Sequence, residues 1–178
     1  MPINLTKKYP EFLEILHLEH KDRIKSLRGV YDRDIENNPS LKLRNKQVFP
    51  IKSDGALDME RQFKHLTCEK IIETDENGKV LPKRIFESDR SQRLHWIRHH
   101  IEETTPENID IFSLTERDAK KRCDVTKTYI YDKKEQYVVV LECQRANSYY
   151  LLTAYYLNKD YAEKKLKKKM KKRLNEVL

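Results

Sequence analysis

Three of the six histidines fall within six residues, in Arg93-Leu94-His95-Trp96-Ile97-Arg98-His99-His100. Histidine titrates near neutral pH, so two of them on one surface could take a proton from one atom and give one to another. Helical spacing predicts such a surface. With Leu94, Ile97 and Ile101 turned to a core, His95 and His99 stack one turn apart beside Glu102 and Glu103. Histidines at i and i+4 also suit a metal, but the glutamate and third ligand of the zinc-protease pattern are missing, so neither a metal nor another cofactor is expected. The competing reading is a polar helix face that is merely rich in histidine.

A second constellation is Tyr149-Tyr150-Leu151-Leu152-Thr153-Ala154-Tyr155-Tyr156. Strand alternation puts Tyr149, Leu151, Thr153 and Tyr155 on one face and the more apolar Tyr150, Leu152, Ala154 and Tyr156 on the other, toward a core. The first face is then rich in hydroxyls around Thr153, and its tyrosines, with Tyr131 on a neighbouring run, could stack on bases. Lys127 and Arg145 stand at the turns of these runs and with Arg98 could neutralise a phosphate. Tyrosine is also an ordinary strand residue, and cations at turns are usually just solvated.

The net charge of +8 is concentrated at one end. Residues 161–178 hold seven lysines and one arginine against Glu163 and Glu176, or +6, which leaves +2 for the other 160 residues. Exposed lysines there, Lys165, Lys168 and Lys172 among them, would attract a phosphate backbone without supplying a catalytic group. The three cysteines, Cys68, Cys123 and Cys143, are odd in number and share no C-x-x-C spacing, which suits a reducing cytoplasm better than a disulfide framework. Apolar runs are strand-sized, and no apolar signal core opens the chain, so no membrane partner is expected.

The elements that must position these residues follow from periodicity. Apolar residues at Leu13, Leu16, Ile24, Leu27 and Tyr31 predict an amphipathic helix over 10–31 with His20 on its buried stripe. A loop through Pro39, Pro50 and a Ser-Asp-Gly turn is expected over 37–55, which divides the chain into residues 1–55 and a functional domain of residues 56–178. There follow a short helix over 56–63, a hairpin of runs 67–74 and 79–86 turning at Asn77-Gly78 in type I′ geometry, and a helix over 88–103. A strand over 108–114 and the β-prone runs 126–131, 136–143 and 148–157 predict a meander, before a last helix from Asp160 with Leu166, Met170, Leu174 and Val177 along one face. The expected fold class is α+β: N-terminal helices, a four-stranded antiparallel sheet and a basic C-terminal helix.

In their order, Arg-Leu-His-Trp-Ile-Arg from Arg93, Lys-Thr-Tyr-Ile-Tyr from Lys127, Gln-Tyr-Val-Val-Val-Leu-Glu from Gln136 and the run Tyr149 to Tyr156, with a lysine-rich helix behind them, resemble the phage-associated branch of the barnase, EndoU, colicin D and RelE-like nuclease superfamily. The resemblance covers roughly residues 84–172. It implies metal-independent cleavage of tRNA or other RNA, in which a 2′-hydroxyl attacks its own phosphate to leave a 2′,3′-cyclic phosphate. His95 or His99 would be the acid or base, Arg93, Arg98 or Lys127 the cation, and Thr153 a phosphate-binding hydroxyl. Members are often toxins or prophage-encoded effectors, which implies RNA as one partner and a neutralising antitoxin or immunity protein as another. The alternative is a noncatalytic phage accessory protein that binds nucleic acid or protein.

Overall fold

The computed structural model describes residues 3–50, 52–53, 56–145 and 147–178, and its first helix is much shorter than the apolar spacing predicts. Helix α1 (His20–Tyr31) continues into a wider turn over Asp32–Glu36, where Asn37 N–H donates to the Asp32 carbonyl at 2.8 Å. Residues 10–19 are not helical, because tertiary bonds capture their backbone. Leu13 N–H donates to the Gln92 carbonyl (2.9 Å), Trp96 Nε1 donates to the Glu11 carbonyl (3.0 Å), and the Asn4 amide closes on both backbone groups of Glu14. Leu13 and Ile15 are buried by this docking, whereas Leu16 and His20, expected on the buried stripe, are exposed.

The segment expected as a plain loop contributes strands β1 (Lys42–Leu43), β2 (Lys46–Phe49) and β3 (Lys52–Ser53), and β4 (Ala56–Leu57) takes the start of the helix expected over 56–63. Asp54 and Gly55 of the expected turn lie outside the described residues. Helix α2 (Met59–Thr67) starts where the Asp58 carboxylate accepts the Arg61 N–H at 2.9 Å, an N-cap. Strands β5 (Cys68–Thr74) and β6 (Val80–Phe86) form the expected hairpin with a different turn. Of its loop residues only Gly78 has positive φ (77°), and Gly78 N–H and Asp75 N–H bond to the Asp75 and Lys79 carbonyls. That is a type I turn closed by a glycine bulge, for which Asn77 need not leave the right-handed region.

The helix expected over 88–103 is two pieces, α3 (Ser88–Ser91) and α4 (Trp96–Ile101). Between them the bonds tighten to i−3, from Arg93 to Arg90, Leu94 to Ser91 and Trp96 to Arg93. Strands β7 (Ile109–Asp118), β8 (Cys123–Asp132), β9 (Tyr137–Gln144) and β10 (Ser148–Tyr156) then run antiparallel in chain order, but the sheet does not end with them. Strand β2 lies parallel to β10, pairing Val48 with Tyr149, and β1 joins it outside. The expectation of a four-stranded antiparallel sheet is thus wrong: the sheet is six-stranded and mixed, in the order β1-β2-β10-β9-β8-β7.

Both faces of this sheet are covered. On one, Leu27, Tyr31, Leu66, Trp96 and Ile97 from the helices meet Ile130, Val139, Leu141, Tyr149, Leu151 and Ala154. On the other, helix α5 (Asp160–Met170) lays Leu166 against Phe112, Tyr129, Val138 and Val140. The strict alternation expected of β10 fails because its register with β9 shifts between Leu151 and Thr153, a bulge at Leu152. One extra residue swaps faces, so Tyr149, Leu151, Ala154 and Tyr156 point to the helical core, and Leu152 and Tyr155 point toward α5. Helix α5 also ends before Leu174 and Val177. Its tail turns back along β7, with Leu174 N–H on the Ser113 carbonyl at 2.8 Å. Among the described residues no helix is long and apolar enough to cross a membrane.

Gln62 holds the bulge. Fully buried, it donates to the Leu151 carbonyl (2.8 Å) and accepts the Tyr31 hydroxyl (2.9 Å). Gln62→Leu strips the Leu151 carbonyl of its side-chain donor, leaves the Tyr31 hydroxyl only its longer contacts to Met59 at 3.4 Å, and is expected to cost roughly 1–3 kcal/mol, read as a lowered urea midpoint. An unchanged midpoint would show that the bulge does not depend on this side chain.

Candidate active site: a cleft between two histidines and two arginines

The tight turn over 92–95 ends at His95, which precedes α4 and is only 5% exposed. Neither ring nitrogen makes a hydrogen bond of normal geometry, although backbone groups of Glu11 and Lys8 lie beside the ring. Burial pushes its pKa down to about 4 against the opposing pull of Asp34. His99 follows one turn later. Its Nε2 is 2.9 Å from the Thr105 hydroxyl, its ring stacks on Tyr9 with centroids 4.1 Å apart, and burial with the neighbouring His100 brings its pKa to about 4 as well. Both rings are therefore neutral at pH 7.

Tyr9 is held from behind. Its hydroxyl donates to Asp132 Oδ2 at 2.7 Å, and burial followed by that bond raises its pKa. Asp132 has no exposed side-chain surface and also faces His100 Nε2 at 2.8 Å and the N–H groups of Lys134 and Glu135 at 3.0 and 2.9 Å. Burial alone would raise its pKa, but the bonds from His100, Tyr9 and Glu135 outweigh it and hold the carboxyl below the usual range. His100 Nδ1 lies 2.6 Å from the Trp96 carbonyl, so both ring nitrogens are engaged.

The opposite wall comes from the turn after α1. Asp34, 2% exposed, takes a two-pronged pair of bonds from Arg33, Nε to Oδ1 at 2.7 Å and Nη2 to Oδ2 at 2.6 Å. Arg98 stands 3.7 Å from Asp34 and donates to Glu102 at 2.9 Å, yet its side chain stays 41% exposed. His95, His99, Arg98, Arg33, Asp34 and Tyr9 line one cleft of about 700 Å³, rimmed by Lys7 and Lys8. That volume suits a small ligand or one or two nucleotides. The arrangement offers two neutral proton acceptors beside a cation, and an anion entering it would stabilise the imidazolium form of either histidine.

The structure brings together His95, His99 and Arg98 and no other residue expected to carry chemistry. Arg93 is clamped between rings, 4.0 Å from Tyr156 and 4.6 Å from Phe12, with Nη1 on the Asp89 carbonyl at 2.7 Å. Thr153 pairs with Val140, whose side chain belongs to the cluster under α5, so Thr153 points away from the histidines through the thickness of the sheet. Lys127 is on that side too, 3.6 Å from Glu116.

Of the residues expected to bind RNA, Tyr131 and Tyr149 are buried, the latter with its hydroxyl on the Leu178 terminal oxygen, and Tyr155 packs beneath α5. Arg145, Lys165, Lys168 and Lys172 are exposed. Tyr9, Arg33, Asp34 and Asp132 were missed, since nothing in their local sequence separates them from surface or connecting residues. Among the described residues no group of three or more histidine, cysteine or acidic side chains is placed to hold a metal. Neither family models, curated proteins nor solved structures give a match to the chain.

Because the native state keeps His95 neutral down to about pH 4 while the unfolded chain protonates near 6.5, acid favours unfolding. The stability from this group is complete above pH 6.5 and is lost as pH falls through about 4. The loss is on the order of 3 kcal/mol. Urea midpoints measured across that window should fall steeply for the native chain and less steeply for His95→Gln; parallel profiles would place the acid sensitivity elsewhere.

Proposed function

We propose that this cleft binds a phosphodiester of RNA and cleaves it without a metal. His95, deep and without a hydrogen-bond partner, takes the proton from the 2′-hydroxyl as its oxygen attacks phosphorus. The exposed guanidinium of Arg98 stabilises charge on the crowded phosphorane, oriented by Asp34 and Glu102. His99, charged once the phosphate lies beside it, protonates the departing 5′-oxygen as its bond to phosphorus breaks, which leaves a 2′,3′-cyclic phosphate and a free 5′-hydroxyl. Arg33 is saturated by Asp34 and keeps that carboxylate in place.

The convergence of a buried and a half-buried neutral histidine with one exposed arginine in a single cleft carries this reading. Thr153 and Lys127 have no part in it, and the exposed lysines of α5 serve only to attract the RNA backbone. In this reading the protein works in the cytoplasm, and a neutralising partner acts by covering the cleft. A noncatalytic RNA-binding module is the second reading. It is favoured by the depressed pKa of both histidines, which leaves the empty site without a ready acid.

Purified protein is expected to cut tRNA or bulk RNA in excess EDTA. The pair His95→Ala, His99→Ala should lower the rate by about 100-fold or more, Arg98→Ala by a comparable factor, and Thr153→Ala should leave it unchanged. Normal cleavage by the double variant sinks the site assignment, and RNA bound but never cut by the native chain establishes the binding module instead.

A further inference from the structure

A second cleft, of about 330 Å³, lies along α2 against β6 and is lined by Arg61, Lys64, His65 and Arg84 with Asp58 and Glu60. The two carboxylates of this cleft are engaged away from Arg84. Asp58 is occupied as the cap of α2, and Glu60 is paired with Arg28 through one oxygen and lies 3.6 Å from Lys64 through the other. Arg84 is the unusual member: its Nη2 is 2.8 Å from His65 Nε2, and among the described residues no carboxylate lies within ion-pair distance of it. A guanidinium has no acceptor, so this contact makes His65 Nε2 the acceptor and leaves the ring neutral.

The surrounding groups sharpen the imbalance. Burial first, then the charges of Arg84, Arg61, Arg90 and Lys120, push the His65 pKa down to about 4. Burial and the nearby Arg90 also lower that of Arg84, with Arg61 adding to the effect. Arg90 itself is committed to structure, donating to the His65 and Cys68 carbonyls at 2.8 and 3.0 Å beside Glu87. Several cations from α2, β6 and the β7–β8 turn therefore converge on a histidine that they keep from charging. A guanidinium with no carboxylate partner, set among further cations, is the usual signature of an anion site.

We propose that Arg84, His65 and Lys64, with Arg61 beside them, bind a phosphate group. The two-pronged guanidinium fits phosphate oxygens, and a bound phosphate would release Arg84 from His65 and let the ring take a proton and donate as well. The site is separate from the two-histidine cleft and does not rest on RNA cleavage there. The chemistry is shared by a free or terminal phosphate and by the phosphodiester of a nucleic-acid backbone.

The test follows the His65 ring resonances by NMR while pH is varied, in inorganic phosphate and in sodium chloride of equal ionic strength. Phosphate is expected to raise the midpoint of His65 by about one unit over chloride. Arg84→Gln should remove the difference while leaving the thermal midpoint of the protein near that of the native chain, and Lys64→Gln should reduce it. A short oligonucleotide added with and without a 5′-phosphate separates the sources: a shift only with the terminal phosphate assigns a monoester, and an equal shift with both assigns the backbone. Identical titrations in phosphate and chloride, or a phosphate effect that survives Arg84→Gln, overturn the proposal.

Discussion

A single carboxylate without exposed surface decides where the candidate site stands. Asp132 ends β8 and draws to itself the hydroxyl of Tyr9, the ring of His100 and two backbone N–H groups of the following turn. Three segments far apart in the chain are thereby fixed to one point: the N-terminal strap, α4 and the β8–β9 turn. Removing one partner of such a buried pair generally costs about 3–5 kcal/mol, because the remaining charge has no water to turn to. His99 rests on Tyr9, so the stacking geometry of the cleft is inherited from Asp132 without any direct bond between them.

The sheet supplies the second constraint. With helices on both faces it separates two chemical environments by its own thickness, and a residue belongs to one or the other by register alone. The side under α5 carries Glu116, which accepts from Tyr129 and Lys169 and fastens the basic helix to the strands. The burial of Glu116 is outweighed by those bonds, which leave its carboxyl below the usual range. The exposed lysines of α5 and the two histidines of the cleft therefore lie on different sides of the sheet, and a ligand touching both would have to pass around its edge.

Long strands were legible because dense Val, Ile and Tyr between polar turns has no other comfortable conformation; β8 extends its expected run at both ends, and β9 and β10 keep theirs to within a residue at each end. The histidine cluster was legible as a surface for the same reason, since helical spacing survives the tightened turn well enough to keep His95 and His99 in one cleft. What periodicity could not carry was anything set by distant partners. The apolar spacing of 10–19 is genuine, but Asn4, Gln92 and Trp96 take up that backbone before it can coil. The two short strands β1 and β2 have too few residues to show alternation, and a bulge at Leu152 is invisible to a rule that assumes strict alternation. Tyr149, Leu151 and Leu152 were assigned to the wrong faces by that one residue, and Asp34 and Tyr9 were overlooked because their contacts exist only across the fold.

The return of residues 171–178 along β7 bears on how the molecule behaves in company. An edge strand ten residues long with free N–H and carbonyl groups is a template for another strand, and the tail occupies part of it through Ser113, both its carbonyl and its hydroxyl. At the far edge β1 is only two residues long, too short to recruit a neighbour. The β5–β6 hairpin is the contrasting case, paired only with itself and carrying Ile72, Val80 and Leu81 in solvent. Pro82 interrupts the hydrogen-bonding row of β6, and Lys70 and Lys83 charge its surroundings. Edge-to-edge pairing of strands is thus opposed by shielding in the large sheet and by charge and a missing donor in the small one.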